Sequence, residues 1–328
     1  MAMFSRKNKM LLVGVWVNRN WILGNWIREV QARSKVNFTL RWVPFIYSGK
    51  RRIENFFVPK FSKYDAYFFS YPTIFKKYLE SNFEEYVGRS IILYPHCEPE
   101  MGTLEEQVSL LNNAFSIHFY CSADAYKLRD LGLRPEKIRL AFCAVDVDCV
   151  PDSSVSRKNN LVVLASRYGP RKGLEILPEI VKARPDLEFI ALGRGWEEFI
   201  RSTSLASANN FSYATFNKEN RNRIFSEATV FISLSNLEGG PVPLIEALNM
   251  GVIPIATKTG FAPDLIREGE NGYLLPLVPT VSEVLDAIQK ALSTRLKVKS
   301  SGLTWDRITS MTIQDLREIQ TNKRLAVK

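Results

Sequence analysis

The 328-residue sequence contains no run of about 18 apolar residues, so it predicts no membrane-spanning helix. Its four cysteines, Cys97, Cys121, Cys143 and Cys149, have no spacing typical of a zinc site or a disulfide framework. We therefore expect reduced thiols, as in a cytosolic protein. The basic and apolar N-terminus is followed by no small-residue cleavage site, so residues 10–17 indicate a first β-strand rather than a signal peptide. These absences favour a cytoplasmic location.

Acidic residues are scarce in the first quarter of the chain. Residues 1–89 hold 16 Lys/Arg and 6 Asp/Glu, a difference of +10, whereas the remainder holds 28 of each. Between residues 45 and 78, aromatic side chains alternate with Lys and Arg. No RNA-binding, zinc-finger or helix-turn-helix signature accompanies them. A nucleic-acid surface is the least favoured interpretation and we expect no nucleic acid; a patch for the anionic inner face of the cytoplasmic membrane and a solvated basic face both stay open.

Apolar strand-like segments alternate with helical segments along the whole chain, which predicts an α/β fold with parallel sheets. Residues 151–160 are polar and contain Pro and Ser, and a new α/β run begins at Leu161. This polar stretch is the best candidate for a linker. We therefore predict two domains, residues 1–155 and 156–328.

Two glutamates mark a candidate ligand site. Glu238 and Glu246 are separated by seven residues in the segment Glu-Gly-Gly-Pro-Val-Pro-Leu-Ile-Glu. Residues 229–235 precede them as a predicted buried strand, and a helix is predicted to begin near Pro243. Glu238 then lies in a Gly-rich loop at the end of a strand, where open α/β sheets bind ligands. A helix N-terminus attracts phosphate, and two carboxylates can hold sugar hydroxyls, so the pattern indicates a nucleotide-sugar site.

A basic pair follows another predicted strand. Arg167 and Lys172 come directly after residues 161–165 and before a helical segment. Two cations near the start of a helix can bind a diphosphate, and an Arg can do so with two parallel hydrogen bonds. Arg171 lies between them and could replace either one.

These segments, in this order, resemble the retaining glycosyltransferases of the GT-B fold, in particular glycosyltransferase family 4, also called glycosyl transferases group 1. The similarity is dense from about residue 119 to residue 277, where Gly193 and Gly195 form a small turn after a strand. It implies two Rossmann-like, doubly wound domains that face each other across a cleft. The N-terminal domain would serve the acceptor and the C-terminal domain the nucleotide-sugar, with the final helix crossing back to the first domain.

The resemblance also implies roles for individual residues. Glu246 would bind the ribose hydroxyls of the nucleotide, Glu238 would lie near the donor sugar, and His96 would face the cleft beside that sugar. The implied catalytic set is His96, Arg167, Lys172 and Glu238. The implied donor-binding set is Gly14, Gly193, Gly239, Gly240, Val242 and Glu246. Glu98 and Glu100 are alternative acidic residues, and either could serve as a base should the enzyme invert rather than retain configuration.

The sequence departs from the family pattern at two places. Pro241 stands where the family has a Gly, and proline has no N–H to donate. Gly14 lacks the adjacent glycine that is common after the first strand of the family. Asp146 and Asp148 have the spacing of an Asp-x-Asp metal motif, but their place matches a structural Gly-Val-Asp turn of the family. We therefore expect no metal and no cofactor.

The sequence as a whole predicts a retaining glycosyltransferase that uses a nucleotide-diphospho-sugar. The acceptor would be a glycan or a polyprenyl-linked or other lipid-linked glycan in bacterial surface polysaccharide synthesis. Two alternatives come from other classes of protein. One is a catalytically inactive GT-B domain that acts as a binding or scaffolding partner, which the changes at Gly14 and Pro241 would fit. The other is a sugar-nucleotide epimerase of the same architecture, which would need no external acceptor.

Overall fold

The computed structural model describes residues 10–15, 22–34, 38–43, 46–48, 51–53, 65–97, 99–146, 148–294 and 296–326. The chain forms two compact units, residues 1–142 with 305–328, and residues 143–304. The division therefore lies at residue 142, where the polar linker in the sequence predicted it near residue 155. Asp148, on the segment between these two positions, pairs with Arg221 of the second unit.

The first unit is built on a six-stranded parallel sheet. Its strands and helices are β1 (Met10–Val15), α1 (Ile22–Arg33), β2 (Phe38–Val43), β3 (Ile46–Ser48), β4 (Arg51–Ile53), β5 (Ala66–Phe69), α2 (Pro72–Ser81), α3 (Phe83–Tyr86), β6 (Ser90–Tyr94), α4 (Leu104–Leu111), β7 (Ser116–Phe119), α5 (Ser122–Asp130) and β8 (Ile138–Leu140). The sheet has the order β2-β1-β5-β6-β7-β8, and β3 pairs with β4 separately. Every residue of β5, β6 and β7 is buried. Such continuous burial is typical of a parallel sheet that is covered on both faces.

The second unit repeats this architecture. Its elements are β9 (Leu161–Arg167), α6 (Leu177–Ala183), β10 (Glu188–Arg194), α7 (Glu197–Arg201), β11 (Phe211–Thr215), α8 (Lys218–Glu227), β12 (Val230–Ser233), α9 (Val242–Asn249), β13 (Ile253–Thr257), α10 (Ala262–Leu265), β14 (Tyr273–Leu275) and α11 (Val281–Ser293). The six strands are parallel in the order β11-β10-β9-β12-β13-β14. The predicted α/β fold with two parallel sheets is confirmed.

The strand order of the second sheet locates its ligand-binding edge. From β9 the chain proceeds through β10 to β11 on one side, and then returns to β12 on the other side. In doubly wound sheets, ligands bind outside the carboxyl ends of the strands at such a switch point. The loops that follow β9 and β12 are those that carry the basic pair and Glu238.

The last helix, α12 (Trp305–Ala326), belongs to the first unit. Its Asp315 is almost fully buried and accepts hydrogen bonds from Ser116 Oγ at 2.6 Å and from His118 Nε2 at 2.8 Å. The Arg139 guanidinium lies 2.9 Å from the other carboxylate oxygen. Buried charges are tolerated when they are paired in this way. This polar cluster therefore fixes the helix to strands β7 and β8.

We expect Asp315→Ala to lower the free energy of unfolding by about 3 kcal/mol or more, because it leaves buried groups of the cluster without their partner. Chemical denaturation at neutral pH measures this loss. Asp306→Ala is the matched control, since Asp306 lies on the first turn of the same helix with its side chain 78% exposed. An equal loss in both variants would contradict a specific role for the cluster.

The same cluster makes stability depend on pH. Burial acts to raise the pKa of Asp315, but the hydrogen bonds from His118 and Ser116 and the Arg139 charge lower it below the usual aspartate value. The contribution to stability is therefore present above the usual pKa of about 4, and is lost as the pH falls through the folded-state value. The difference between wild type and Asp315→Ala should accordingly shrink in acid.

Candidate active site

The basic loop begins where β9 ends. Arg167 is the last residue of the strand and its side chain is exposed. Residues Pro170–Lys172 then form a 3-10 turn, in which the Lys172 N–H donates to the Gly169 carbonyl at 3.0 Å. The turn returns the Lys172 side chain to the same edge of the sheet, where it is 24% exposed.

Backbone contacts tie this loop to the loop after β12. Gly173 has a φ of 59°, and a β-carbon there would collide with the Leu234 carbonyl oxygen. Only glycine combines this left-handed conformation with so close an approach. The Asn236 N–H also donates to the Arg171 carbonyl at 2.9 Å. The two loops at the switch point therefore form one connected structure.

Glu238 lies in this connected structure and contacts the basic loop directly. Its Oε1 forms an ion pair with Lys172 Nζ, and the Glu238 side chain is 17% exposed. The Glu238 N–H donates to Thr259 Oγ1 at 3.1 Å, which fixes the backbone at this point. The predicted catalytic residues Lys172 and Glu238 are thus brought together, more than 60 positions apart in the sequence.

Two of the predicted glycines are required by packing. A β-carbon on Gly240 would overlap the Phe261 ring, and one on Gly193 would overlap the Ser166 carbonyl oxygen. The Trp196 indole N–H donates to that same carbonyl at 2.8 Å. The contacts of the described residues thus explain these glycines without a ligand, and their predicted role in donor binding stays a prediction. Gly239 is buried, and its predicted role in donor binding also stays a prediction.

The N-terminus of α9 offers few hydrogen-bond donors. Pro241 precedes the helix and Pro243 is its second residue, and neither has an N–H. The Leu244 N–H donates to the Pro241 carbonyl at 2.9 Å. Within residues 241–244, Val242 is therefore the one that could offer its N–H to a phosphate, where most helices offer several. A diphosphate at this position would therefore have to be neutralised mainly by the cations.

Glu246 lies on the buried side of α9. Its side chain is 5% exposed, and Oε1 is 3.3 Å from the Arg221 guanidinium. Burial raises the pKa of the Glu246 carboxyl to about 7, although Arg221 acts in the opposite direction. A carboxyl group of this kind titrates in the physiological range, which is common at functional sites.

Arg221 was not predicted as a site residue from the sequence. Its guanidinium contacts Glu246 and also lies 2.8 Å from Asp148 Oδ1. A signal for it does exist, because Arg221, Ile224 and Phe225 have the spacing of one helical face and all three are buried. An arginine on an apolar face needs a buried partner, but the spacing does not say which one.

The two aspartates of the Asp-x-Asp motif, Asp146 and Asp148, form ion pairs with residues of α8. Lys218 Nζ lies 2.8 Å from Asp146 and 3.4 Å from Asp148. In the described ranges, no three or more His, Cys, Asp and Glu residues lie close enough together to hold a metal ion. Both aspartates are thus paired with cations of α8, and the structural role predicted for this motif stays a prediction.

His96 belongs to the first unit, whereas the other three predicted catalytic residues belong to the second. It follows β6 and is buried. Asp124, on the first turn of α5, interacts electrostatically with it. Burial raises the pKa of Asp124, while interactions with the Cys121 thiol, His96 and the Cys97 N–H oppose the shift. His96 is therefore within electrostatic range of a carboxyl group, and its role at the donor sugar stays a prediction.

The remaining predicted residues lie at or outside the edge of the described structure. Gly14 is in β1, opposite Trp42 and Phe68 of the neighbouring strands. Residues 16–21, which follow that strand, lie outside the described residues, and so does Glu98. Glu100 is exposed in a 3-10 turn.

The sequence of the second unit matches a known protein family. Residues 151–301 match the family model described as Glycosyl transferases group 1. The match contains the loops after β9 and β12 and all of α9. The second unit therefore resembles a group 1 glycosyltransferase domain over nearly its whole length.

Curated relatives resemble mainly this half of the chain. One subunit of the human phosphatidylinositol N-acetylglucosaminyltransferase is 27% identical over 183 residues, which cover 53% of this chain and 37% of the relative. The GtfA subunit of the UDP-N-acetylglucosamine–peptide N-acetylglucosaminyltransferase of Streptococcus pneumoniae is 27% identical over 161 residues, 46% of this chain and 31% of the relative. The chain thus spans about a third of the length of the curated relatives it matches.

Solved structures match almost the whole chain. The sucrose-phosphate synthase of Thermosynechococcus elongatus superimposes with a TM-score of 0.75 at 14% identity, over 96% of this chain and all of that one. Anabaena HepE in complex with UDP and glucose gives 0.65 at 15% identity, over 97% and 99%. The lipopolysaccharide outer core galactosyltransferase WaaB gives 0.61 at 15% identity, over 96% and 100%. At these identities the similarity shows the fold alone, and the fold is GT-B.

Proposed function

We propose that the protein is a retaining glycosyltransferase that moves a sugar from a nucleotide-diphospho-sugar to a glycan or lipid-linked acceptor. The Lys172–Glu238 ion pair at the switch point of the second sheet is the observation that carries this proposal. It joins a cation suited to phosphate and a carboxylate suited to hydroxyls. The names of the curated relatives, and the complex of HepE with UDP and glucose, support a nucleotide-sugar donor.

Four residues of the second unit have roles in this reaction. Arg167 and Lys172 bind the diphosphate, Glu238 binds the sugar, and Glu246 binds the ribose. As the bond between the anomeric carbon and the phosphate oxygen breaks, negative charge develops on the leaving group, and the two cations stabilise it. The acceptor hydroxyl forms the new bond on the face that the diphosphate leaves, and its proton passes to a phosphate oxygen.

Nucleotide binding and transfer are the direct tests. Ligand binding to the folded state stabilises it by RT ln(1 + [L]/Kd), so one of UDP, GDP, ADP and dTDP should raise the melting temperature. The matching nucleotide-sugars should then release nucleoside diphosphate, slowly with water and faster with an acceptor. If none of the four binds, the proposal is wrong.

A binding or scaffolding domain without catalysis is the second candidate, and the two prolines at α9 favour it. They remove N–H donors from the turn that follows Glu238. Binding of a nucleoside diphosphate without hydrolysis or transfer of any nucleotide-sugar would select this alternative. Conversion of one nucleotide-sugar into another without an acceptor would instead indicate an epimerase.

We expect transfer to continue in excess EDTA. Arg167 and Lys172 supply positive charge for the diphosphate, while Asp146 and Asp148 are already paired with Lys218 and Arg221. Release of nucleoside diphosphate, measured with and without EDTA, checks this. A complete loss that Mg²⁺ or Mn²⁺ restores would assign Asp146 and Asp148 to a metal site.

We also propose that the first unit docks on anionic membrane, beside a lipid-linked acceptor in bacterial surface polysaccharide synthesis. The whole excess of +10 lies in residues 1–89, where each Lys or Arg near such a surface contributes about 1 kcal/mol. Among the described residues, no helix combines the length and the apolar character of a membrane span. We expect co-sedimentation with phosphatidylglycerol vesicles at low salt, and release at high salt. Equal binding to phosphatidylcholine would favour a solvated basic face.

A further inference from the structure

The Arg221 guanidinium lies between two carboxylates. One nitrogen is 3.3 Å from Glu246 Oε1 and another is 2.8 Å from Asp148 Oδ1. The Arg221 and Glu246 side chains are 4% and 5% exposed, whereas Asp148 is 47% exposed. Removing two charges from water is costly, and close pairing with additional hydrogen bonds is what repays that cost. Asp148 binds the side of the guanidinium nearer the solvent, and the buried side of the guanidinium faces Glu246.

The surroundings of Glu246 make its charge depend on this contact. Burial acts first and raises the pKa of Glu246 to about 7, Arg221 opposes it, and the charges of Asp146 and Asp148 add to it. Lys218 offsets the two aspartates in part. The Cys149 Sγ lies 3.9 Å from the Glu246 carbonyl oxygen, and burial raises the pKa of that thiol to about 12, so it stays neutral. Arg221 is thus the cation that directly opposes protonation of Glu246.

The charge matters because of what a ribose requires. A ribose presents two hydroxyl donors, and an ionised carboxylate is an acceptor at both oxygens. A protonated carboxyl group can accept fewer hydrogen bonds, and those that it accepts are weaker because they are no longer assisted by a charge. A buried glutamate without a cation beside it would be a poor ribose ligand at neutral pH.

We propose that Arg221 is a positioning residue that keeps Glu246 ionised and oriented for the ribose hydroxyls of the donor, with Asp148 holding Arg221 in place. This inference rests on the proposed function, in which Glu246 binds the ribose. It follows that nucleotide affinity falls as the pH drops below neutrality, because Glu246 then takes up a proton. Without Arg221 that transition should move to higher pH by about 1–3 units, the usual effect of an opposite charge at this range.

The test measures Kd for UDP, and for GDP or ADP if UDP does not bind, by calorimetry from acid to alkaline pH. The 2′-deoxy form of the same nucleotide serves as the probe for the ribose contact. We expect Arg221→Met to bind the nucleotide about 10-fold more weakly at pH 7, and to recover much of the loss at alkaline pH. Its affinity for the 2′-deoxy form, which keeps only the 3′-hydroxyl, should fall by a smaller factor. Arg221→Lys should shift the same transition by less.

Two controls separate positioning from simple stability. Arg223→Met removes an exposed arginine of the same helix that pairs with Glu227, and should leave binding unchanged. In a Glu246→Gln background, Arg221→Met should add little to the loss, because no charge remains to be held. Thermal denaturation identifies any variant that fails to fold, and Arg221→Lys then carries the comparison.

The outcomes distinguish a failure of this inference from a failure of the proposed function on which it rests. If the wild type binds none of the nucleotides, the proposed function fails. If the wild type binds and the Arg221 variants keep its pH transition and its preference for the ribose over the 2′-deoxyribose, Arg221 is a structural residue and the inference is overturned.

Discussion

Arg167→Ala and Lys172→Ala are each expected to lower kcat/KM by about 10²-fold or more, with a larger loss in the double variant. Each cation stabilises charge that develops on the leaving diphosphate, and the loss of one such group typically has an effect of this size. The N-terminus of α9 adds to the expectation, because Pro241 and Pro243 deprive the phosphate of N–H donors that could compensate. Steady-state kinetics with the accepted nucleotide-sugar measure the effect.

Lys182→Ala is the control for this pair. Lys182 is an exposed cation on α6 of the same unit, so it has the same influence on net charge without a place at the switch point. It should leave kcat/KM within about 2-fold of wild type, as most surface substitutions have small effects. Near-normal turnover in the Arg167 and Lys172 double variant would refute the assignment of the diphosphate.

The edge of the sheet that carries these cations could be predicted because it is encoded locally. A strand of apolar residues ends at Arg167, and another ends shortly before Glu238. In a parallel sheet the carboxyl ends of neighbouring strands meet at one edge, so two separate sequence segments predict a single site. Lys172 and Glu238 form an ion pair because each follows one of these neighbouring strands.

The groups that support the site could not be predicted in this way. Arg221 meets Asp148 across 73 positions and Glu246 across 25, and Asp315 meets His118 across 197. No period or turn signal relates such distant residues, since tertiary packing alone brings them together. The sequence indicates only that Arg221 is on a buried helix face.

At the boundary between the units, by contrast, the sequence does contain a signal, but that signal does not coincide with the boundary. Residues 151–160 are polar, and polarity indicates exposure rather than the end of a unit. The structure divides the chain earlier, at residue 142, because the segment that follows is anchored in the second unit. Cys149 is buried beside the backbone of Glu246, and Asp148 pairs with Arg221. The contacts of this short segment therefore place residues 143–155 in the second unit, although composition assigns them to the first domain.

Glu238→Gln should lower kcat by about 10²-fold while changing the KM for the donor only a few-fold. Its carboxylate is partly exposed in the loop and paired with Lys172, where it can contact the reacting sugar as charge develops. An interaction made mainly in the transition state appears in kcat, whereas uniform binding appears in KM. Glu246→Gln is the matched comparison, because the same chemical change on the buried helix face should raise KM and spare kcat.

The partition between these two variants decides the assignment of both glutamates. Glutamine keeps the size and one acceptor oxygen of glutamate, so a loss reports the charge rather than a cavity. For Glu238 the missing charge also frees Lys172, which can then bind the diphosphate more tightly in the ground state. KM for the donor should therefore stay level or fall in Glu238→Gln while kcat drops. A rise in KM with unchanged kcat in Glu238→Gln, together with the reverse in Glu246→Gln, would mean that Glu246 serves the sugar and Glu238 the nucleotide.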